Sequence, residues 1–455
     1  MDVIGRWMPL GFVYLAGSAR MAGLDAEIYD AMNKDHGYPE IEQHFRQSDA
    51  SYIASTAITS SLNDAVKTLE LAKRVNPQVV TILGGVHPTF CYEEVLNSTS
   101  AVDYIICGEG EVTLKELLQA LENGGGPDDV PGLAFRRNGD IVKTSKRIVT
   151  GSLDDLPTAW DLLDWQEYKY FVIPNSRLGT VSTSRACDHR RFRDPCKVVD
   201  EIVLLRETYG VNVFLITDEY PTGDRERWET VLDLLLDRNL PVCLLMQTCT
   251  ADIIRDRDII WKYRKAGVVH IYVAIEAAGH DTPDFIREGS GVAEGKLALD
   301  ILREHGIISE ASFVVGGPDE TKTGVEHTFR LAQYCNPDNV QFLPLTPWPH
   351  DHAYDGVRQY VRVSDYSKYN LIDPVIEPKD MSLLQVDAAV MNCHRRFYMG
   401  KLSEVIAMKD SFKRDYLLKA MKLMMVNPFI LKKLGMGTLA RIPAKIGEMM
   451  RKDMF

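Results

Sequence analysis

Residues 179–202 read GTVSTSRACDHRRFRDPCKVVDEI, and their internal order decides how the rest of the chain is read. Thr180 and Val181 begin a β-branched strand, Ser-Thr-Ser-Arg at 182–185 leads into Cys187, a polar turn follows, and a helix opens around Asp194-Pro195. A strand, a loop and a helix in succession, with a cysteine at the strand's carboxyl end, is the repeating unit of a (β/α) barrel, whose reactive groups sit at the strand ends.

The unit recurs downstream. Strand-like runs at 179–184, 211–217, 242–247, 268–275, 309–315 and 339–345 each precede a helix-like stretch, such as 228–237 or 325–334. Six such units predict a partial (β/α)6 barrel over 179–378. Its strand ends carry the chemistry-bearing residues. Asp218 and Glu219 follow the apolar run 214–217 and are placed to point at the barrel mouth, which makes them candidate catalytic groups. Glu276 follows the fourth strand, and Gly316-Gly317-Pro318 the fifth.

Upstream, strand and helix signals alternate as well. An apolar helix-like stretch at 8–21 is followed by short strands at 26–30 and 51–56, an amphipathic helix at 62–75, a buried strand at 79–84, and a strand at 104–108 before a helix at 111–121. This pattern predicts an α/β, doubly wound sheet over 1–125, with ligands at the carboxyl ends of its strands. A first strand belongs ahead of Trp7, where six residues stand, so the sheet is expected to lack it. Gly84-Gly85 ends a strand and allows close backbone approach to a ligand. His87 on the following loop is either a structural residue or one that faces that ligand. Gly108-Glu109-Gly110-Glu111 reads as a strand-to-helix turn, with Glu111 favourably placed near a helix start.

Gly and Pro mark 126–178 as a connector with a small β-rich piece around 132–135 and 140–142. The region 379–455 is helical and Met-rich. Its last stretch, 431–455, carries six Lys or Arg against two acids among Leu, Ile and Met, a composition suited either to an anionic membrane surface or to a solvated amphipathic helix.

Composition bounds the function. The chain has 455 residues, 45% hydrophobic and 25% charged, enough for two or three domains. A net charge of -12 argues against a surface built for nucleic acid. Eight scattered cysteines form no disulfide framework and fit a reducing cytoplasm. No apolar run reaches the length of a membrane span.

The strings WMPLG at 7–11, LGGVHPT at 83–89 and CGEGE at 107–111, with STSRAC at 182–187, resemble the cobalamin-binding radical S-adenosylmethionine (SAM) family. Within it, TAIT at 56–59, WDLLDW at 160–165, DEYPT at 218–222, KYRKAGVVH at 262–270, PWP at 347–349, DYSKYN at 365–370 and PVIEPK at 374–379 are similar to the anaerobic oxidative cyclases acting on magnesium-protoporphyrin IX monomethyl ester. The resemblance implies cobalamin in the first domain, against Gly84, Gly85, His87, Thr89, Gly108, Glu109 and Gly110. His87 would pack on the corrin without a cobalt bond, because the loop lacks an Asp-x-His-x-x-Gly run. It also implies SAM against Glu276, Gly316 and Gly317, a 4Fe-4S cluster with Cys187 as a ligand, a tetrapyrrole substrate, and closure of the fifth ring of bacteriochlorophyll from a propionate ester side chain, with oxygen from water.

One segment departs from the family. A C-x-x-x-C-x-x-C run holds the cluster there, whereas here Cys187 is followed by Asp-His-Arg-Arg-Phe-Arg-Asp-Pro and then Cys196. Two thiolates are fewer than such a cluster takes from the protein. In the family SAM chelates the cluster, so SAM binding is expected to be weak. Two readings follow: a radical SAM cyclase with a shortened cluster loop, or a cobalamin- or tetrapyrrole-binding protein that kept the fold.

Overall fold

The computed structural model describes residues 4–148, 151–185, 191–275 and 291–426. The first sheet contains β1 (Tyr52–Thr56), β2 (Val80–Gly84) and β3 (Tyr104–Ile106), parallel and in that order. The hairpin β4 (Leu133–Arg137) and β5 (Asp140–Lys143) joins it antiparallel to β3. Asn138 and Gly139 both take positive φ between the last two strands, which is the turn an Asn-Gly pair favours. The β-rich piece read as connector thus extends the first sheet.

Six helices surround it: α1 (Leu10–Met21), α2 (Tyr38–Gln47), α3 (Leu62–Val75), α4 (Val86–Phe90), α5 (Tyr92–Ser98) and α6 (Gly110–Glu122). α3 shows why its sequence folds as a helix: Leu62, Ala65, Leu69 and Ala72 recur at helical spacing and are the residues it buries. The strand expected at 26–30 does not form. Tyr29 stacks on His44 of α2 at 3.8 Å and bonds His36, and Asp30 accepts from Asn33, so this stretch is tied locally instead of joining a ladder.

The second sheet matches the six expected strands. In order it runs β6 (Leu178–Val181), then, past a small antiparallel clip of β7 (Ser184–Arg185) and β8 (Arg191–Phe192), β9 (Val213–Ile216), β10 (Cys243–Thr248), β11 (Val268–Ala274), β12 (Ile308–Val315) and β13 (Asn339–Pro344). All neighbours in the six-stranded sheet are parallel. The intervening helices are α7 (Pro195–Tyr209), α8 (Arg225–Arg238), α9 (Thr250–Arg255), α10 (Ile260–Lys265), α11 (Val292–Glu304) and α12 (Lys322–Cys335). Asp194, Asp224 and Thr321 cap three of these helices with side-chain oxygens, and Gly210, Asn239 and Asn336 end three in the left-handed conformation.

An open barrel leaves two strand edges, and both are covered. At β6, Leu178 donates to the Tyr168 carbonyl, and Met8 packs on Thr180. After a short α13 (Tyr354–Val357), the long α14 (Leu383–Ile406) covers β13. Tyr398 Oη accepts from Val340 N and donates to Val340 O, while His394 Nε2 accepts from Phe342 N at 3.1 Å. The last described helix, α15 (Ser411–Val426), sends Tyr416 under the barrel, where it bonds Tyr170 and His270. In this Met-rich region Phe397 and Met421 are buried, whereas Met399 is exposed.

Candidate functional site

The carboxyl ends of the two sheets face one another, and arginines of the clip β7–β8 span the gap. Arg185 pairs with Glu111 at 2.6 Å and Glu109 at 3.4 Å, and Arg191 also pairs with Glu109. Arg185 lies over the Tyr14 ring at 5.2 Å. Beneath these pairs opens a cavity of 240 Å³, walled by Gly11 and Leu15 of α1, the ends of β1 and β2, Gly108 to Glu111, and Arg185 itself.

The glycines around it divide into two kinds. A Cβ on Gly84 or Gly108 would meet nothing within 4 Å, so both leave space on the cleft side. Gly85 is different: at φ +102, its Cβ would lie 2.4 Å from Ala57 O, so the glycine there serves the packing of α4 against β1. Thr89 connects the turns, its Oγ1 donating to Gly85 O at 2.7 Å and accepting from Gly108 N at 3.0 Å. The structure therefore brings together Gly84, Gly85, Thr89, Gly108, Glu109 and Gly110, and adds Arg185, which the sequence reading missed. A basic pair flanking one motif and an acidic pair in the other was the available signal.

His87 is not brought there. Its side chain is 0% exposed, with Nδ1 at 3.1 Å from Thr59 Oγ1 and its ring edge-on to Tyr366 at 4.9 Å. Burial, together with nearby His350, pushes its pKa down to about 4.

Asp218 is buried against the loop that follows β6. Its carboxylate accepts five hydrogen bonds from the loop after β6: from Ser182 Oγ, from Thr183 N to both oxygens, from Thr183 Oγ1, and from Ser184 N, all within 2.5–3.1 Å. Burial pushes this carboxyl up, against the pull of those donors. Arg193 reinforces the same loop, bonding Ser182 O, Asp154 and Glu201, as does Arg227 through Thr183 O and Arg193 O. Asp218 thus fixes the path of residues 182–184. Glu219 is exposed beside it.

Cys187 and Glu276 lie outside the described residues. Cys196 is exposed in the first turn of α7, and Cys243 and Cys249 lie on β10 and at the start of α9. The segment 182–196 therefore supplies two cysteines, and the donor set does not fit a cluster held by three loop thiolates. Gly316 donates its N–H to Glu320, and a Cβ there would meet Val386 of α14 at 2.9 Å; Gly317 has only Leu345 near, at 3.9 Å. Lower in the barrel, His270 and Glu310 pair at 3.1 Å, and Gln341 donates to Glu310. Burial opposes the Glu310 charge, but His270 and Gln341 outweigh it and hold the carboxyl below its ordinary value.

Residues 2–118 match the family described as B12 binding domain, and residues 175–332 match the radical SAM superfamily. The anaerobic magnesium-protoporphyrin IX monomethyl ester cyclase of Rubrivivax gelatinosus is 33% identical over 454 residues, covering 96% of this chain and 82% of the relative. That of Cereibacter sphaeroides is 36% identical over 440 residues, covering 92% and 72%. Among solved structures, the radical SAM methyltransferase TsrM from Kitasatospora setae, with cobalamin and a 4Fe-4S cluster bound, superposes with a TM-score of 0.68 at 12% identity, covering 92% of this chain and 97% of that one. The cobalamin-dependent SAM radical enzyme OxsB with aqua-cobalamin gives 0.67 at 14% identity, covering 95% and 74%. These two share the fold.

Proposed function

Since this chain belongs to the cobalamin-binding radical SAM family, among the relatives of the anaerobic magnesium-protoporphyrin IX monomethyl ester cyclases, we propose that it serves the oxidative cyclisation of that tetrapyrrole ester. The observation that carries the reading is the cleft between the two sheet ends, bridged by Arg185 and Arg191 to Glu109 and Glu111. It gives a corrinoid and a substrate one shared space.

The residues fit a corrinoid. Gly84 and Gly108 leave room on the cleft side, and with the other residues lining the 240 Å³ cavity they would hold the corrinoid. Bound there, a corrinoid supplies cobalt-centred electron transfer. This chain's own residues orient it: Thr89 fixes the two glycine turns, and the Arg185–Glu111 pair holds the barrel loop against them. Asp218 is a positioning residue, and Glu219 is the carboxylate proposed to meet the substrate. Glu276, Gly316 and Gly317 are proposed to contact the adenosine of SAM, weakly. The chain divides accordingly into a corrinoid domain at 1–125 with its hairpin beyond, a connector at 126–178, the barrel at 179–378 and a helical region at 379–455. No helix among the described residues is long and apolar enough to cross a membrane. The basic segment 431–455 would make any contact with anionic lipid.

A second reading, a corrinoid- or tetrapyrrole-binding protein without radical chemistry, is favoured by the loop's two cysteines. The two are separated by assaying 5′-deoxyadenosine after anaerobic reconstitution and reduction, against a Cys187→Ala control. Formation above the control supports the cyclase as the chain stands. Binding of hydroxocobalamin and the magnesium porphyrin ester without any deoxyadenosine, both in this chain and in one carrying the family's C-x-x-x-C-x-x-C loop, supports the second reading. Binding of neither overturns both.

A further inference from the structure

We infer that His87, Cys91 and Glu94 form a mononuclear site for a divalent, zinc-like transition-metal ion, separate from the corrinoid cleft. His87 stands on α4, Glu94 on α5, and Cys91 at the junction between the two helices. One ligand atom from each lies within 4.8 Å of the other two. Imidazole, thiolate and carboxylate together are a donor set that zinc accepts, at about 2.0–2.3 Å from the metal.

An independent observation points to a ligand. His87 is fully buried, and its Nε2 has no hydrogen-bond partner. A buried nitrogen left in that state is destabilising, and a metal bond removes the penalty. The surroundings support the donors as metal sites require. Thr59 Oγ1 lies 3.1 Å from Nδ1, and in the tautomer that donates from Nδ1–H to it the Nε2 lone pair is left for the ion; Tyr366 Oη donates to Glu94 Oε2 at 3.2 Å. Glu94 is exposed and Cys91 half-buried, so an ion has a path in. Because Tyr366 comes from the 345–378 segment and α4 follows directly on Gly85, an ion here fastens the floor of the cleft to that segment. His87 is not a wall of the corrinoid cavity, so ion and corrinoid bind without competing.

The test uses the full chain, free of corrinoid and metal, titrated with Co²⁺ as a spectroscopic probe. The expected result is one equivalent bound, with visible bands of a four-coordinate ion and a thiolate-to-cobalt charge-transfer band, all displaced by Zn²⁺. Cys91→Ser removes the charge-transfer band, and Glu94→Gln weakens binding at least tenfold. Both positions are partly exposed, so the variants keep the wild-type circular dichroism. Hydroxocobalamin added to the zinc-loaded protein binds with unchanged affinity. A charge-transfer band that survives Cys91→Ser but is lost in Cys196→Ser would put the ion in the barrel loop and overturn the assignment. An aquo-type spectrum without a thiolate band would overturn it too.

Discussion

Replacing Asp218 by Asn keeps the shape of the side chain and removes its charge, which isolates what the carboxylate does for the loop leading to Cys187. Every contact it makes is with a donor: two backbone N–H groups and two hydroxyls. An amide can face only one of its sides to them with an oxygen. If that oxygen takes the place of Oδ1, the bonds from Thr183 N and Ser184 N persist as neutral ones, each weaker by about 1–1.5 kcal/mol than a bond to a charged acceptor. If it takes the other place, Ser184 N is left buried against an NH₂ group, at about 1–3 kcal/mol. Together with the hydroxyl that must turn, the cost is about 2–4 kcal/mol. A chain of several domains does not unfold as one unit, so the assay is hydrogen exchange by mass spectrometry on peptides covering 178–193. That free energy corresponds to a loss of protection of roughly 30- to 1000-fold, confined to those peptides. Burial alone opposes the Asp218 charge. If that cost dominated, Asp218→Asn would leave exchange unchanged or slow it, and a change under about threefold would refute the reasoning.

Two further outcomes follow from the same geometry. Gly84→Ala places a Cβ where nothing lies within 4 Å, so it should leave thermal stability unchanged and weaken hydroxocobalamin severalfold; Gly85→Ala, strained at φ +102 and pressed on Ala57 O, should lower stability by about 1–3 kcal/mol. The reverse pattern would place the ligand elsewhere. His394 is half-buried, with Nδ1 at 3.0 Å from Val390 O and Nε2 accepting from Phe342 N, and desolvation lowers its pKa. The unfolded chain therefore binds the proton more readily. The stabilisation is whole above the unfolded value near pH 6.5 and is lost as pH falls from there toward the folded pKa, at up to about 1.4 kcal/mol per pH unit. Urea unfolding of the barrel between pH 7 and 5 should show this slope reduced in His394→Gln.

Much of the fold was legible because the local signals agreed. The six barrel strands are apolar runs, Gly210, Asn239 and Asn336 end three of the helices between them, and helices such as α3 carry their buried face at helical spacing. Residues 26–30 have the look of a strand, yet Tyr29 and Asp30 find their partners on the adjoining turn and α2. Gly84 and Gly108 were legible as cleft residues because small residues at strand ends have few other uses. His87 was not, because its surroundings come from Tyr366, almost three hundred residues along the chain. The direction of Asp218 was also hidden: a carboxylate after a strand serves equally well at a barrel mouth or as an acceptor for the neighbouring loop, and the choice lies in the path of residues 182–184. Arg185 and Glu111 carried complementary charge in two separate motifs, but only the meeting of the sheets made them a pair.

The proposed tetrapyrrole ester cyclisation turns on residues 186–196, where the chain departs from the family's cluster motif. The direct measurement is product analysis by mass spectrometry in ¹⁸O-labelled water, with the magnesium porphyrin ester, SAM, hydroxocobalamin and reductant. It compares the chain as it stands with one whose loop after Arg185 carries the family's C-x-x-x-C-x-x-C segment. The predicted result is five-ring product containing oxygen from water, with stoichiometric 5′-deoxyadenosine, from the grafted chain and none from the original. A grafted chain that binds iron and cleaves SAM yet leaves the bound porphyrin unchanged would contradict the claim.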